Sequence, residues 1–480
     1  MTLASDSPSS STRTAAIDTP VVTTAELRRA AWGSSVGSAI EYYDFALYSL
    51  ASALVFGPLF FPGNTASTGL MLSFATYFIG FAARPLGGLF FGRLGDRLGR
   101  RFVLMATIIM MGVASTGIGV LPTYHGNEND WYSGGIGILA PILLIGLRIV
   151  QGLGAGAEMA GASILMTEYA PPRRRGLYAS LPFLGVQVGT VAAALVYFAV
   201  FHVHHSITDS WLWRPPFLAS GAILVVAMYL RANLKESPTF TKLAPCDRID
   251  ERPLRNLLGS SRPALLRGIG LRIAENGSSS IYQALAVAYA TSAAVGLEGP
   301  IGALSLVFAA SLGSVTIPIA GILSDRFGRV RTYRGFAYFQ LFSAFPIWWV
   351  LSRGNVVATI VVISLALGVG TSGMFGSQSA LLSELFGTRQ RYLGVSVTRE
   401  VSAVISGGIA PLIGAWIITQ VAATDGGPDV PEAGLGAWKF IAGYLCILTT
   451  ITIATTYITP DPTNRDLDDP RDVITATHHQ

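Results

Sequence analysis

Gly92-Arg93-Leu94-Gly95-Asp96-Arg97-Leu98-Gly99-Arg100-Arg101 is a charged stretch between two apolar runs, and Gly321-Ile322-Leu323-Ser324-Asp325-Arg326-Phe327-Gly328-Arg329 repeats its pattern in the second half of the chain. The runs on either side cover residues 68–92 and 102–122 for the first copy, and 300–323 and 332–352 for the second. Each is near the roughly 20 residues that a helix needs to cross a bilayer, so each motif reads as a short turn between two crossings. Working outward, further runs lie at 33–57, 137–169, 178–201, 214–230, 265–295, 355–386, 392–421 and 437–458, which makes twelve spans. A second pair of loops also repeats: Glu168 to Arg175 follows the fourth span and Glu384 to Arg391 follows the tenth. Two loop motifs recurring at matching places indicate a duplicated six-span unit.

Composition agrees. Of 480 residues, 51% are apolar and 13% charged, where a soluble chain carries about 25% charge. That excludes a soluble enzyme, a disordered chain and a disulfide scaffold; Cys246 and Cys446, the two cysteines, read as free thiols. The net charge of +5 matters less than its placement, because cytoplasmic loops retain Lys and Arg. The N-terminal tail, Arg93 to Arg101, Arg173 to Arg175, the interval 231–264, Arg326 to Arg334, Arg389 with Arg391, and the C-terminal tail all fall on one side of twelve alternating crossings. The expected organisation is a disordered cytoplasmic tail at 1–29, without a signal peptide, and a six-helix bundle at 30–230. A cytoplasmic loop at 231–264, a second bundle at 265–458 and a cytoplasmic tail at 459–480 complete it. The partner this implies is the lipid bilayer, not a nucleic acid.

The G-x-x-x-D-R-x-G-R loop between spans two and three, repeated between eight and nine, resembles the signature of the major facilitator superfamily. Within it, Glu41-Tyr42-Tyr43-Asp44-Phe45, Arg84-Pro85-Leu86-Gly87-Gly88 and Arg148 to Gly161 resemble the metabolite:proton symporters, as do Trp213-Arg214-Pro215-Pro216-Phe217 and Glu236-Ser237-Pro238. That group includes shikimate, alpha-ketoglutarate, citrate and proline/betaine permeases, and the similarity covers residues 30–458. The resemblance implies an all-α membrane protein of twelve transmembrane helices in two six-helix bundles, a monomer in the cell membrane working by alternating access. It also implies that Gly92, Asp96, Arg97, Gly99, Arg100, Asp325, Arg326, Gly328 and Arg329 act in gating. One departure stands out. Relatives often carry Tyr followed by Asn or Gln in span eleven, where this chain has Arg399-Glu400.

Ionisable side chains at membrane depth cost about 2.5 to 3.5 kcal/mol on insertion scales, which makes them functional candidates. Arg84 lies nine residues before Arg93, about 13 Å of helix, and Arg399 eight after Arg391, about 12 Å. Glu41 and Asp44 stand at i, i+3, so one helix face presents two carboxylates, of which one should hold a proton. Arg148, Gln151 and Glu158 share a stripe of span four, and Arg272, Glu275 and Asn276 a face of span seven. The polar side chains of spans one, four, seven and eleven converge if the family fold holds. The substrate-facing candidates are therefore Tyr42, Arg84, Arg148, Gln151, Arg272, Asn276 and Arg399, and the proton-coupling candidates Glu41, Asp44, Glu158 and Glu275.

Structural alternatives stand beside these. The carboxylates could simply pair with arginines on neighbouring helices, and Arg272 could snorkel to the surface. The glycines between 152 and 161 read as close helix packing. His202, His204 and His205 lack further metal ligands at suitable spacing, so no metal and no cofactor is expected. Asn276-Gly277-Ser278 matches a glycosylation sequon inside a span and is discounted. The function expected is secondary import of a small carboxylate-bearing metabolite, shikimate- or dicarboxylate-like, by proton symport. The alternative is a proton-coupled symporter of a zwitterionic osmolyte such as proline or betaine. No loop is long enough for a catalytic domain, so an enzyme is not expected.

Overall fold

The computed structural model describes residues 24–63, 65–98, 100–126, 134–156, 159–203, 210–233, 257–388, 390–425 and 433–473. Twelve long helical segments run through them. In the N-terminal half these are α1 (Thr24–Leu54), α2 (Ala66–Leu98), α3 (Arg100–Val120), α4 (Leu139–Ala155, resuming as Met159–Tyr169), α5 (Pro182–Val203) and α6 (Pro215–Asn233). In the C-terminal half α7 runs Arg262–Ser280 and continues to Ala290, followed by α8 (Gly299–Phe327) and α9 (Arg329–Leu351). Then come α10 (Val356–Leu365, continuing to Leu385), α11 (Arg391–Ser402, continuing to Thr424) and α12 (Trp438–Ile458). Residues 1–23 of the tail expected at 1–29 and the middle of the expected central loop lie outside the described residues, whereas 24–29 already belong to α1 rather than to a disordered tail.

Six described segments are long and apolar enough to cross a membrane by length and composition; neither α1 nor α7 is among them. Both carry buried charged side chains, Glu41 and Asp44 in α1 and Arg272 and Glu275 in α7. A helix that turns such groups inward must give up part of its apolar character.

Small residues let the helices approach. A Cβ on Gly152 of α4 would collide with the Gly80 carbonyl of α2, and one on Gly156 with the Arg84 carbonyl. Gly185 and Gly189 of α5 sit in the same way against Ser35 and Ala39 of α1. Across the two halves, α5 packs on α8 and α2 on α11. Gly408 of α11 receives the rings of Phe78 and Phe81. Three helices of the C-terminal half are interrupted by a π-turn, at Ile281–Leu285 in α7, Ala366–Thr371 in α10 and Ala403–Gly408 in α11. Such turns break the i→i−4 ladder and re-aim the side chains beside them.

The tight α2/α4 contact yields a stability prediction. Gly152→Val should lower the yield of folded, monodisperse protein from membranes, in line with an overpacking cost of about 1 to 3 kcal/mol. Gly146→Val, on the same helix with nothing within 4 Å, should leave the yield unchanged.

Candidate functional site: a charged centre and a gate

At the centre, Arg84 of α2 lies between two carboxylates. Its Nη2 meets Glu41 Oε1 of α1 at 2.5 Å, and its Nε stands 3.4 Å from Glu400 Oε2 of α11. The rings of Phe45 and Phe81 flank the guanidinium, 5.9 and 5.6 Å from their centroids. Because Glu41 and Glu400 belong to different halves, one guanidinium ties the halves together at mid-depth.

Glu41 and Asp44 were expected to share a face, but the structure gives them separate partners. Asp44 accepts from Ser115 Oγ of α3 at 2.9 Å and Ser220 Oγ of α6 at 2.6 Å. Gln151 Nε2 donates to the same Ser115 at 2.8 Å and its amide oxygen accepts from Arg148 Nη1. The Arg148 guanidinium in turn lies over Tyr48, 3.8 Å from the centroid, with Tyr77 at 5.5 Å. A hydrogen-bonded chain thus runs from Asp44 to Arg148 inside the N-terminal half. A small pocket borders both groups, lined by Glu41, Asp44, Phe81, Arg84, Arg148 and Gln151 among others.

On the C-terminal side, Arg272 is buried at 3% exposure, so it does not snorkel. It donates to Gln378 Oε1 of α10 at 2.5 Å, to Ser402 Oγ of α11 at 3.0 Å and to Asn276 Oδ1 at 3.0 Å, with Glu275 at 3.5 Å. Arg399, also buried, lies over the ring of Phe183 of α5, 5.5 Å from its centroid. Tyr42 packs against the apolar cluster of Phe183, Val186, Ile317 and Phe375, which joins the halves. Glu158 lies outside the described residues.

A second charged network closes the end of the bundle that carries the repeated motifs. Asp325 accepts from the backbone N–H groups of Gly176 and Leu177, at 2.8 and 3.0 Å, and from Arg329 Nη1 at 2.6 Å. Arg329 is fully buried and also donates to Glu384 Oε2 at 3.1 Å, while Arg175 reaches Glu384 from the other half at 3.8 Å. Arg391 meets Glu168 at 3.1 Å. Gly328 takes φ +100° at the turn between α8 and α9, a conformation that favours glycine. Arg326, a gating candidate, is exposed and lies over the Phe327 ring. Gly99 and the side chains of Asp96, Arg97 and Arg100, together with the surroundings of Gly92, lie outside the described residues.

Several partners escaped the sequence. Ser115, Ser220, Ser402 and Phe183 carry no signal in helices rich in hydroxyl and aromatic residues. Glu168, Arg175, Glu384 and Arg391 did carry one, the duplicated loop, without revealing that the two copies cross-pair.

Comparison with known proteins places this geometry. The family described as "Sugar (and other) transporter" matches residues 30–251, and that described as "Major Facilitator Superfamily" matches 268–477. The inner membrane metabolite transport protein YhjE of Escherichia coli (strain K12) is 36% identical over 438 residues, covering 89% of this chain and 93% of that protein. The chain belongs to the major facilitator superfamily. The shikimate transporter of the same strain is 34% identical, covering 88% of this chain and 93% of its own length. The proline/betaine transporter of Salmonella typhimurium (strain LT2) is 32% identical, covering 84% and 80%. A crystal structure of a D-xylose-proton symporter superposes with a TM-score of 0.69 at 17% identity, covering 91% of this chain and 99% of that one, which shows the fold. As a member of the superfamily the protein is a secondary transporter of metabolites in the cell membrane, and not an enzyme.

The gate network gives a direct test. Asp325→Ala removes an anionic acceptor from two backbone donors and Arg329, bonds of about 1.5 to 3 kcal/mol each when charge-assisted. In a background with both cysteines replaced by serine, a Thr167→Cys probe beneath the gate should react with maleimide at least about fivefold faster when Asp325 is alanine. Equal labelling rates would show that Asp325 does not hold this end shut.

Proposed function

We propose that the protein imports a small carboxylate-bearing metabolite together with a proton, by alternating access of the bundles at 30–230 and 265–458, with the motif end facing the cytoplasm. One observation carries the substrate class: two buried guanidiniums, Arg272 and Arg399, stand on the adjoining helices α7 and α11, with Arg272 Nε donating to Ser402 Oγ and that hydroxyl donating to the Arg399 carbonyl. A carboxylate between them relieves their repulsion and offers acceptors suited to the fork of a guanidinium. Asn276 and Tyr42 complete that wall in this reading.

Charge balance supports the proton. At the centre, away from the network at the motif end, four buried or nearly buried carboxylates among the described residues (Glu41, Asp44, Glu275 and Glu400) stand with four arginines (Arg84, Arg148, Arg272 and Arg399). Adding an anion to a balanced, desolvated set is costly unless a proton enters with it. Asp44 and Glu41 are the proton carriers in this reading. Protonating Asp44 weakens its acceptance from Ser115 and Ser220 and so loosens the chain to Gln151 and Arg148. Protonating Glu41 changes its hold on Arg84 and hence the balance of the tie to Glu400.

Two measurements decide it. Whole cells expressing the protein should accumulate one of labelled shikimate, alpha-ketoglutarate or citrate, and a protonophore should abolish accumulation while leaving downhill exchange intact. Sodium dependence without a response to the protonophore rejects proton coupling, and uptake of betaine alone favours the zwitterion. Arg399→Gln should raise the apparent KM for the anionic substrate at least about tenfold, equivalent to roughly 1.4 kcal/mol, with normal surface expression. An unchanged KM removes Arg399 from the binding site.

A further inference from the structure

The arginines around the second motif divide into two kinds. Arg329 is buried and committed to Asp325, Glu384 and Ser324. Arg326, Arg331 and Arg334 have no carboxylate partner among the described residues, and Arg326 and Arg331 are exposed.

Arg334 is held in place by neutral groups. Its Nε donates to Thr456 Oγ1 and its Nη2 to the Thr456 carbonyl, both at 2.9 Å, and its plane lies over the Tyr457 ring, 3.8 Å from the centroid. These contacts fix the guanidinium without neutralising it. One turn further along α9, the Tyr338 hydroxyl meets that of Tyr457 at 3.0 Å. The stripe continues through Phe342, Phe345 and Trp349, which are 73%, 46% and 47% exposed. Positions 331, 334, 338, 342, 345 and 349 advance by threes and fours, so they lie along one face of the helix.

That face runs from two cations, through paired phenols, into exposed aromatic rings. Arg331 to Tyr338 spans about 10 Å and Tyr338 to Trp349 about 16 Å, the order and scale of a phospholipid from phosphate to acyl chain. We propose that the α9/α12 face at the motif end binds an anionic phospholipid, its phosphate on Arg331 and Arg334 and an acyl chain along Phe342 and Phe345. Asp461 caps the first backbone N–H groups of α9 but pairs with neither Arg331 nor Arg334 among the described residues, which leaves two guanidiniums to favour an anionic headgroup over a zwitterionic one. The apolar continuation favours a lipid over free phosphate. Arg331 lies two residues from Arg329, so the bound lipid abuts the helix end that closes the gate.

The test compares full-length wild type with an Arg331→Gln/Arg334→Gln double variant, purified from phosphatidylcholine vesicles doped with phosphatidylglycerol. Native mass spectrometry counts the retained lipid. The double variant should retain at least about fivefold less phosphatidylglycerol, while Arg353→Gln, which removes the arginine stacked on Trp349 at the opposite end of α9, should retain as much as wild type. Arg331→Gln alone, at an exposed position, keeps the comparison usable should the double variant fold poorly, and it should show an intermediate loss. Equal retention by wild type and variants overturns the proposal. Displacement of phosphatidylglycerol by inorganic phosphate at equal ionic strength also overturns it, by marking a free-anion site.

Discussion

A charge taken out of water must be met by an opposite charge or by a full set of hydrogen bonds, and Arg84 shows how this protein meets that demand. Its guanidinium answers Glu41 in its own half and Glu400 in the other. A buried pair of this kind adds little net stability, because desolvation offsets much of the Coulombic gain. Its value is that it is conditional: one cation serving two anions makes the contact between the halves depend on the charge state of either anion. The rest of the central site is arranged around that shared cation.

The charged network at the motif end obeys the same physics with a different layout. Asp325 reaches the backbone of Gly176 and Leu177 across the boundary, and Arg329 and Arg175 converge on a Glu384 that has no exposed surface. These bonds are numerous but individually modest, and they lie near the end of the bundle. Between gate and centre, the rings of Phe183 and Phe375 and the side chain of Ile317 form an apolar layer. Its contacts are non-directional, so it can part and re-form without leaving a polar group unsatisfied. Charged ties at two levels, with an apolar layer between them, thus join the two halves.

The π-turns fit this division. All three in the described residues lie in the C-terminal half, next to Tyr282, Thr371 and Ser402. Ser402 bonds Arg272, and Thr371 bonds Ser278. An irregular turn aims such side chains inward where a regular helix would place them a fraction of a turn away. No pattern of apolar and polar residues announces a π-turn, since it changes the spacing by a single residue.

The sequence by itself determined the class of fold, the number of crossings, the internal duplication and the identities of the buried charges. Each of these is one-dimensional information: the length of an apolar run, the recurrence of Asp-Arg-x-Gly-Arg, the cost of an arginine or glutamate far from either loop. It also singled out Arg399-Glu400 as a pair of ionisable side chains well inside an apolar run. Only the tertiary structure decided the pairings. Glu41 and Asp44 are three residues apart, yet one meets α2 and the other α3 and α6, because a carboxylate's partner is set by which helix packs nearest to it. The serines that hold Asp44, the glutamine that holds Arg272 and the cross-pairing of the duplicated loops were silent for the same reason. Each is a contact between residues far apart in the chain, and helix periodicity constrains what lies on one helix, not what stands opposite.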